Sequence, residues 1–483
     1  MINFKVVFHI IGFLLVLEGI FILGCISASI LMGSNDVLPL LISGGSISIL
    51  GLILFFLTKL NSNDEVKKRE GYLIVSLGWL SMSLMGAIPF VISGVIPNYT
   101  NAFFETVSGF TTTGASILND IESVPAGLLL WRSLTQWLGG MGIIVLSLAI
   151  FPLLGIGGMQ LFIAEVPGVT KDKIHPRIKE TAKRLWGIYV LLTFAQALLL
   201  AIGGMSLFDA VNHAFTTMAT GGFSTKQASI EAYDSPFIHY VIIFFMFAAG
   251  VNFNIHYYLL HKKFSVLKQN EEFSFYWKLI LFFTLVVFLL LIINSSFGVE
   301  NSFRLSLFHV VSLITTTGFV SANYELWAPF AQIVFFVLLF FGGCAGSTGG
   351  GIKIVRHLLL YKNSLLELRR LIHPQAIIPV RFNNVSVKPE IILNVLAFFL
   401  FYIFIFVAGS IALCFFGVDF ISAIGAAATC IGNVGPGIGT VGPAYNFYNI
   451  PDGGKWILSF LMLLGRLELF TILIIFSRSF WKH

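Results

Sequence analysis

The sequence is poor in charged residues and in long polar segments, and these shortages exclude whole classes of protein. Only 11% of its 483 residues are charged, whereas 57% are hydrophobic. That leaves too little polar surface to cover one water-soluble globule of this length. The loops between apolar segments are short, the longest being about 30 residues, so there is no room for a soluble catalytic or nucleotide-binding domain. We therefore expect an integral membrane protein that is not an enzyme.

Cysteine is also scarce, and a nucleic-acid-binding surface is not indicated. The four cysteines lie in or beside apolar segments without metal-ligand spacing, as buried small hydrophobic residues do. No basic domain with interleaved aromatic residues lies outside the apolar runs. The net charge of +6 is better explained by membrane topology and by attraction to anionic lipid. The cysteines are Cys25, Cys344, Cys414 and Cys430.

Apolar runs long enough to cross a bilayer are what the sequence has in abundance. The first run exceeds the core of a cleaved signal, although Ser27-Ala28-Ser29 is a small-residue tripeptide. The runs cover residues 6–32, 37–58, 72–95, 126–152, 185–205, 237–260, 278–297, 328–355, 390–416 and 455–477.

Lysine and arginine alternate in density between successive loops. With a cytoplasmic N-terminus, 23 of the 29 basic residues fall on the inner side, including the Lys171 to Arg184 cluster and the Arg356 to Lys388 cluster. Basic residues favour cytoplasmic loops. The pattern predicts a multi-pass protein of the cytoplasmic (inner) membrane with both termini in the cytoplasm.

Four segments of the chain resemble one another, and each follows one apolar run and precedes another. Aligned on a final glycine, each has a hydroxyl residue six positions earlier. Such internal repetition predicts one structural unit used four times. The glycines are Gly114, Gly222, Gly318 and Gly435, and the hydroxyl residues are Ser108, Thr216, Ser312 and Thr429.

The segments before these glycines are about ten residues long, which suits a re-entrant half-helix and not a full span. The unit is therefore span, half-helix, loop, span. We predict an all-α polytopic membrane protein with four such units around one central pore, preceded by two extra transmembrane helices. The predicted divisions are 1–70 for the N-terminal pair and 71–184, 185–277, 278–389 and 390–483 for the four pore repeats.

Glycine and threonine at these four places have a chemical explanation. A cation in a narrow pore loses hydration water, which carbonyl oxygens must replace. Glycine allows the backbone to aim carbonyls inward, and threonine hydroxyls can contact the ion or pin the loop to its half-helix. Half-helices ending at the loops would direct the negative ends of their dipoles at the ion. The alternative, that glycine and threonine only permit close helix packing, explains one such site better than four equivalent ones.

The motifs resemble those of the superfamily of TrkH, KtrB and plant HKT potassium transporters, over nearly the whole chain. The two extra N-terminal spans favour the TrkH family within it, because KtrB-like proteins generally lack them. The motifs are SGFTTTGAS (108–116), GGMGIIVL (139–146), GGFST (221–225), TTTGF (315–319), GGCAGSTGGGIK (342–353), GNVGPGIG (432–439) and GRLE (465–468).

The resemblance implies potassium as the transported ion and assigns a selectivity filter to the four loops. In the fourth loop, Gly-Asn-Val replaces the threonine run, so its carbonyls can serve but its hydroxyls cannot. The implied filter residues are Thr112, Thr113, Gly114, Thr220, Gly221, Gly222, Thr316, Thr317, Gly318, Asn433, Val434 and Gly435.

The stretch 342–351 interrupts an apolar run and contains six glycines in ten residues, a composition unfavourable for a helix. We expect it to be unwound beside the pore, since non-helical backbone at membrane depth needs protein or water around it. In TrkH-like proteins the matching loop is held to obstruct the inner pore. A static packing break and, more weakly, a phosphate-binding loop are the alternatives. The predicted gate glycines are Gly342, Gly343, Gly346, Gly349, Gly350 and Gly351.

Charged residues within the apolar runs are the remaining candidates. We expect Arg466 to border the pore and to raise a barrier or hold the gate loop, with a buried ion pair as the alternative. Glu468 should pair with another helix, and Lys353 should snorkel to the inner surface. Glu105, placed at the start of the first half-helix, either favours cation entry or stabilises that helix end.

Two mechanisms remain open at this point. A gated, channel-like pathway fits the uncharged convergence point, whereas a symporter that couples potassium to sodium or protons by alternating access usually has ionisable groups near the midplane. An intramembrane enzyme is not supported, because no catalytic cluster recurs at one depth. The resemblance also implies a homodimer and a cytoplasmic nucleotide-sensing TrkA-type regulatory subunit. The basic inner loops could dock that subunit or contact membrane lipid.

Overall fold

The computed structural model describes residues 2–60, 67–145, 178–295, 297–376 and 378–482. Within them nearly all of the regular secondary structure is helical. One short antiparallel sheet pairs Arg381–Phe382 with Val385–Ser386. The predicted all-α polytopic class is confirmed.

The N-terminal helices form a pair that packs through small residues. Phe4–Gly24 and Ile26–Met32 are separated by a break at Cys25, and Val37–Leu57 runs back along them. A Cβ added at Gly51 would lie 2.8 Å from the Gly12 carbonyl oxygen. The two backbones therefore approach as closely as only small residues allow.

The remaining described residues follow the predicted order of span, half-helix, loop and span. The helices of the first unit are Lys68–Gly86, Ile88–Ile92, Tyr99–Phe110 and Ala126–Val145, and those of the second are Ile178–Ile202, Leu207–Met218, Ser229–Ala232, Pro236–Ala249, Phe253–Leu260 and Ser265–Gln269. The third has Glu271–Asn294, Val299–Ile314, Tyr324–Leu326, Pro329–Leu338 and Ile354–Ile372, and the fourth has Pro389–Phe415, Phe420–Gly432, Gly439–Val441, Asp452–Arg466, Phe470–Leu473, Ile474–Phe476 and Arg478–Trp481.

Only some of the predicted spans are continuous helices. Six described helices are long and apolar enough to cross a membrane. The predicted spans 237–260 and 455–477 are instead helix pairs bent by 104° and 108°. The sequence did not predict either bend. Asn252 caps a new helix in one pair, and Glu468 and Leu469 adopt positive φ in the other. The span 126–152 is described only as far as Val145, and residues 61–66 and 171–177 of the basic clusters also lie outside the described residues.

The four half-helices lie at the centre of the bundle. They are Tyr99–Phe110, Leu207–Met218, Val299–Ile314 and Phe420–Gly432, and most of their residues are buried. Three begin at side-chain caps, namely Asn98, Ser206 and Asp419, which accept hydrogen bonds from the first-turn amides. Large apolar side chains such as Phe194 and Phe404 lie on the outside and are about two-thirds exposed. A lipid environment would cover these outer faces.

Candidate ion pathway

The four loops share one backbone conformation. Residues Thr112, Thr220, Thr316 and Asn433 have φ between 52° and 58°, and each is followed two positions later by a glycine with φ between 76° and 104°. The left-handed region is unfavourable for threonine and natural for glycine and asparagine. Asparagine in the fourth loop therefore keeps the conformation that threonine adopts in the other three.

The four loops meet around one centre. A Cβ added at Gly114 would overlap the carbonyl oxygen of Gly221, one at Gly222 that of Thr317, and one at Gly318 that of Val434. One at Gly435 would lie 2.8 Å from the carbonyl oxygen of Thr113. Each glycine thus abuts the residue before the next glycine, in the cyclic order one, two, three, four, one.

One open cavity lies on this ring. It is lined by Gly114, Gly222, Gly318 and Gly435, together with residues that follow them in the chain. The structure therefore brings all the predicted filter residues together and leaves none in a separate part of the molecule. Their role in ion selection stays a prediction.

Hydroxyl groups pin two of the loops to their own half-helices. Thr113 Oγ1 lies 2.8 Å from Thr111 Oγ1, and Thr317 Oγ1 lies 2.8 Å from Thr315 Oγ1. In the fourth loop, Asn433 Nδ2 donates to Thr113 Oγ1 at 3.0 Å and to the Met462 carbonyl at 2.9 Å. The fourth loop is therefore secured by a bond to the neighbouring first loop.

Gln136 is a contact of the ring that sequence reasoning missed. Its Nε2 donates to the Gly221 carbonyl at 2.7 Å, and its Oε1 accepts from Phe223 N at 3.1 Å. A polar residue within an apolar run was the available signal, since buried amides need partners. The second loop is thus held by the first repeat.

Glu105 was predicted to lie at the start of the first half-helix, and this was wrong, because that helix begins at Tyr99. Its buried carboxylate accepts from Arg132 Nε at 2.7 Å and from Ile117 N at 2.8 Å. A half-helix start is occupied instead by Asp419 in the fourth repeat, where the backbone hydrogen bond from Ser422 lowers the pKa of the carboxyl.

The stretch 342–351 is non-helical, as its glycine content predicts. Gly350 N donates to Thr316 Oγ1 at 2.6 Å, and Thr348 Oγ1 donates to the Met218 carbonyl at 2.9 Å. A Cβ on Gly350 would lie 2.9 Å from the Gly432 carbonyl oxygen. This glycine loop touches the C-terminal ends of three half-helices, whereas the open cavity lies along residues beyond the ring glycines. The loop and the cavity are therefore at opposite mouths of the ring.

The outer parts of the glycine loop rest against neighbouring helix ends. Cys344 N donates to the Gly250 carbonyl at 2.8 Å, and Phe253 N donates to the Gly346 carbonyl at 3.1 Å, both at the bend of the second repeat. Ala345 N donates to Glu272 Oε1 at 2.8 Å. Close approach explains several glycines, because a Cβ would come within 3.1 Å of a neighbour at Gly342, Gly343, Gly346, Gly349 and Gly351.

Arg466 reaches the glycine loop from the last long helix. Its Nη1 donates to the Thr348 carbonyl at 2.7 Å and its Nη2 to the Gly139 carbonyl at 3.0 Å. The side chain is 2% exposed. One guanidinium therefore joins the loop to the first and fourth repeats by charge-assisted bonds.

The predictions for Glu468 and Lys353, two charged residues near Arg466, fared differently. Glu468 pairs with Arg356 on another helix, which confirms that prediction. Lys353 was expected to snorkel to the inner surface, and this was wrong. It is buried, and its ammonium donates to the Gly349 carbonyl within the loop, because unwound backbone offers carbonyls that a helix would already use.

The fold and the site define a four-repeat polytopic membrane protein with re-entrant loops around one centre. Residues 43–483 match the family model TrkH, described as a cation transport protein. The chain is 44% identical to the Trk system potassium uptake protein TrkH of Escherichia coli K12, over 87% of each chain. It is 39% identical to that of Vibrio parahaemolyticus, over 99% of this chain and 100% of the relative.

Solved structures give the same result. The crystal structure of the potassium transporter TrkH from Vibrio parahaemolyticus matches with a TM-score of 0.91 and 36% identity, and the match covers 100% of both chains. The chain belongs to the TrkH family of cation transport proteins.

Proposed function

We propose that this chain takes up potassium through a gated, channel-like pathway whose selectivity filter is the ring of four loops. The filter residues are those predicted from the sequence, from Thr112 to Gly114, Thr220 to Gly222, Thr316 to Gly318 and Asn433 to Gly435. The observation that carries the proposal is the cyclic contact of each glycine with the next repeat. The relatives named as potassium uptake proteins support the choice of ion.

A dehydrated potassium ion needs several oxygen ligands at one place. Four equivalent bends can supply main-chain oxygens from all sides, and four half-helix C-termini add negative potential there. The ring needs no second chain, because all four bends belong to one polypeptide. Neutral oxygens bind a cation weakly enough for it to leave again.

The glycine loop 342–351 acts as the gate in this proposal. It closes the mouth opposite the open cavity and is tied to Thr316 of the filter itself. Arg466 both holds the loop and places a positive charge beside the cation path, where it raises an electrostatic barrier. Opening then requires two bonds of the loop to break: the one from Arg466 to the Thr348 carbonyl and the one from the Thr348 hydroxyl to the Met218 carbonyl.

The cell location and assembly follow from charge and resemblance. We place the protein in the cytoplasmic (inner) membrane with both termini in the cytoplasm, since most basic residues then lie inside. A homodimer and a cytoplasmic nucleotide-sensing TrkA-type subunit complete the assembly, and the basic helix Ile354–Ile372, which continues from the gate loop, is one docking candidate.

Potassium flux into liposomes tests the mechanism. Purified protein in liposomes with a potassium gradient as the only driving force should pass potassium, and added sodium or a proton gradient should not be required. If uptake needs sodium or protons on the same side as potassium, the protein is a symporter and the channel-like mechanism is wrong.

Shortening the glycine loop tests the gate. Removal of residues 343–350 should raise basal potassium flux, because the contacts at Thr316, Met218 and Arg466 are lost. A deletion protein that stays as closed as the wild type contradicts the gate.

A further inference from the structure

The same position in three half-helices carries a buried side chain that bonds to the loop leaving the filter. Glu105, His213 and His309 each lie nine residues before the filter glycine of their own repeat. All three are at most 1% exposed. None of them lies on the ring, and the transport mechanism above does not use them.

In the first repeat, the Glu105 carboxylate binds the chain just after Gly114. It accepts from Ser116 Oγ at 3.0 Å and from Ile117 N at 2.8 Å. Arg132 neutralises it and extends to the second loop, where Nη1 donates to the Ser224 carbonyl at 2.9 Å. The guanidinium carbon also lies 3.6 Å from the centre of the Phe223 ring. One ion pair thus fixes two neighbouring loops.

In the second repeat, His213 replaces the carboxylate and makes the equivalent contact. Its Nδ1 lies 2.7 Å from the Asp209 carbonyl and must donate to it, so in the neutral ring Nε2 accepts from Ser224 Oγ at 2.9 Å. The His213 ring also lies 5.8 Å from the ring of Phe319, directly after Gly318. His213 therefore also contacts the third loop, just as Arg132 contacts the second loop.

In the third repeat, His309 binds the chain slightly further on. Only one nitrogen of the neutral ring can donate: either Nε2 donates to the Ala322 carbonyl at 3.1 Å, or Nδ1 donates to the Leu305 carbonyl of its own helix at 2.9 Å and Nε2 accepts from Ser321 N at 3.5 Å. In both tautomers Nε2 of His309 bonds to the chain that follows Gly318. Its ring contacts that of Tyr324 edge-on at 5.6 Å. Tyr324 in turn donates to the Gly437 carbonyl of the fourth loop at 3.0 Å.

In the fourth repeat, the equivalent position is Ala426, which offers no polar group. The outgoing chain is held instead from the third repeat. Tyr324 binds the Gly437 carbonyl, and Glu325 Oε1 accepts from Gly439 N at 2.6 Å. The missing bond within the fourth repeat is therefore replaced by two bonds from its neighbour.

We propose that Glu105, His213 and His309, with Tyr324 for the fourth repeat, are positioning residues that set potassium-over-sodium selectivity by fixing the exit of each filter loop. This inference rests on the proposed function. In a filter that selects by cavity size, the carbonyl ligands must be held at the spacing that fits potassium. If the chain that follows a filter glycine loses its hydrogen bond, the carbonyls of that loop can move inward and fit the smaller sodium ion.

Substitution of His213 tests the proposal against a matched neighbour. His213→Ala should lower the potassium-to-sodium flux ratio roughly fivefold to tenfold, as expected for loss of a buried hydrogen bond. His213→Gln, which can still reach Ser224, should restore most of it. Asn212 is the control, because it is equally buried on the same half-helix and its side chain donates to Phe208 of its own helix. Asn212→Ala should keep the wild-type ratio.

Tyr324→Phe removes only one hydroxyl and decides the matter if His213→Ala does not fold. It should lower the same ratio roughly twofold to fivefold. If both variants reduce total flux but keep the wild-type ratio, the side chains are merely structural and the inference is overturned. If the wild-type protein passes sodium as readily as potassium, the proposed function itself fails, which is seen before any variant is measured.

Discussion

The filter loops and the glycine loop are both rich in glycine and both non-helical, but they are held in different ways. Each filter glycine fits against the backbone of the next repeat, so the ring is closed by shape on every side. The glycine loop also packs closely at its glycines, but it is held in addition by separate bonds that involve the side chains of Thr316, Thr348, Glu272 and Arg466. Close backbone packing on every side suits a ring that must keep one conformation. The separate bonds of the glycine loop can be broken one at a time, which suits a segment that moves.

The largest effect should follow from disturbing the ring. Gly318→Ser forces a side chain onto a residue with φ of 76° whose Cβ would overlap the Val434 carbonyl. Backbone strain of this kind costs about 1–3 kcal/mol, and we expect a fall of about tenfold or more in the potassium-to-sodium flux ratio. Gly298→Ser is the control, since it precedes the same half-helix and has open space around it. An unchanged ratio in Gly318→Ser contradicts the filter assignment.

The next effect should come from the strongest single bond to the glycine loop. Arg466→Gln removes the charge and the fork that joins the Thr348 and Gly139 carbonyls. Charge-assisted bonds contribute about 1.5–3 kcal/mol, so basal potassium flux should rise at least roughly tenfold while the flux ratio stays near that of the wild type. Arg466→Lys should be intermediate. A folded Arg466→Gln protein with wild-type basal flux would show that the guanidinium does not hold the gate.

A smaller effect is expected at Thr348, whose hydroxyl donates to the Met218 carbonyl. Thr348→Val keeps the shape and the carbonyl that Arg466 binds. Loss of about 1 kcal/mol should raise basal flux about fivefold, measured in the same liposomes. Thr348→Ser, which retains the hydroxyl, should match the wild type, and a larger rise in the serine than in the valine variant would contradict the role of this bond.

The smallest effect should come from the outer end of the third half-helix. Glu300 pairs with Arg304 one turn along that helix, and its side chain is 57% exposed. Exposed pairs contribute about 0–1 kcal/mol, so Glu300→Gln should change flux by less than about twofold and leave the flux ratio unaltered. A marked loss of selectivity would show that outer charge contributes to ion choice alongside the loops.

The ring was predictable because its cause is local. A left-handed backbone conformation favours glycine, and the four equivalent places with this conformation carry Gly114, Gly222, Gly318 and Gly435. The repeated glycines are visible in the sequence alone. The unwound stretch 342–351 was visible for the same reason.

The partners of the charged residues were not predictable, because they come from distant parts of the chain. Arg132 lies 27 residues from Glu105 and Arg356 lies 112 from Glu468. The bend at Glu468 and Leu469 also lacks a sequence signal, since neither residue favours positive φ. Lys353 was misjudged because snorkelling assumes a continuous helix, and the carbonyl that binds it exists only in the unwound loop.

A ring made by one polypeptide has a consequence for how it can vary. In a pore of four identical subunits, one codon change alters all four walls at once. Here a change alters a single wall, and only the two adjoining walls must adapt to it. Asn433 illustrates this, because its departure from threonine is matched by a bond to Thr113 alone. If the ring is the selectivity filter, as proposed, its ion preference can therefore change one loop at a time.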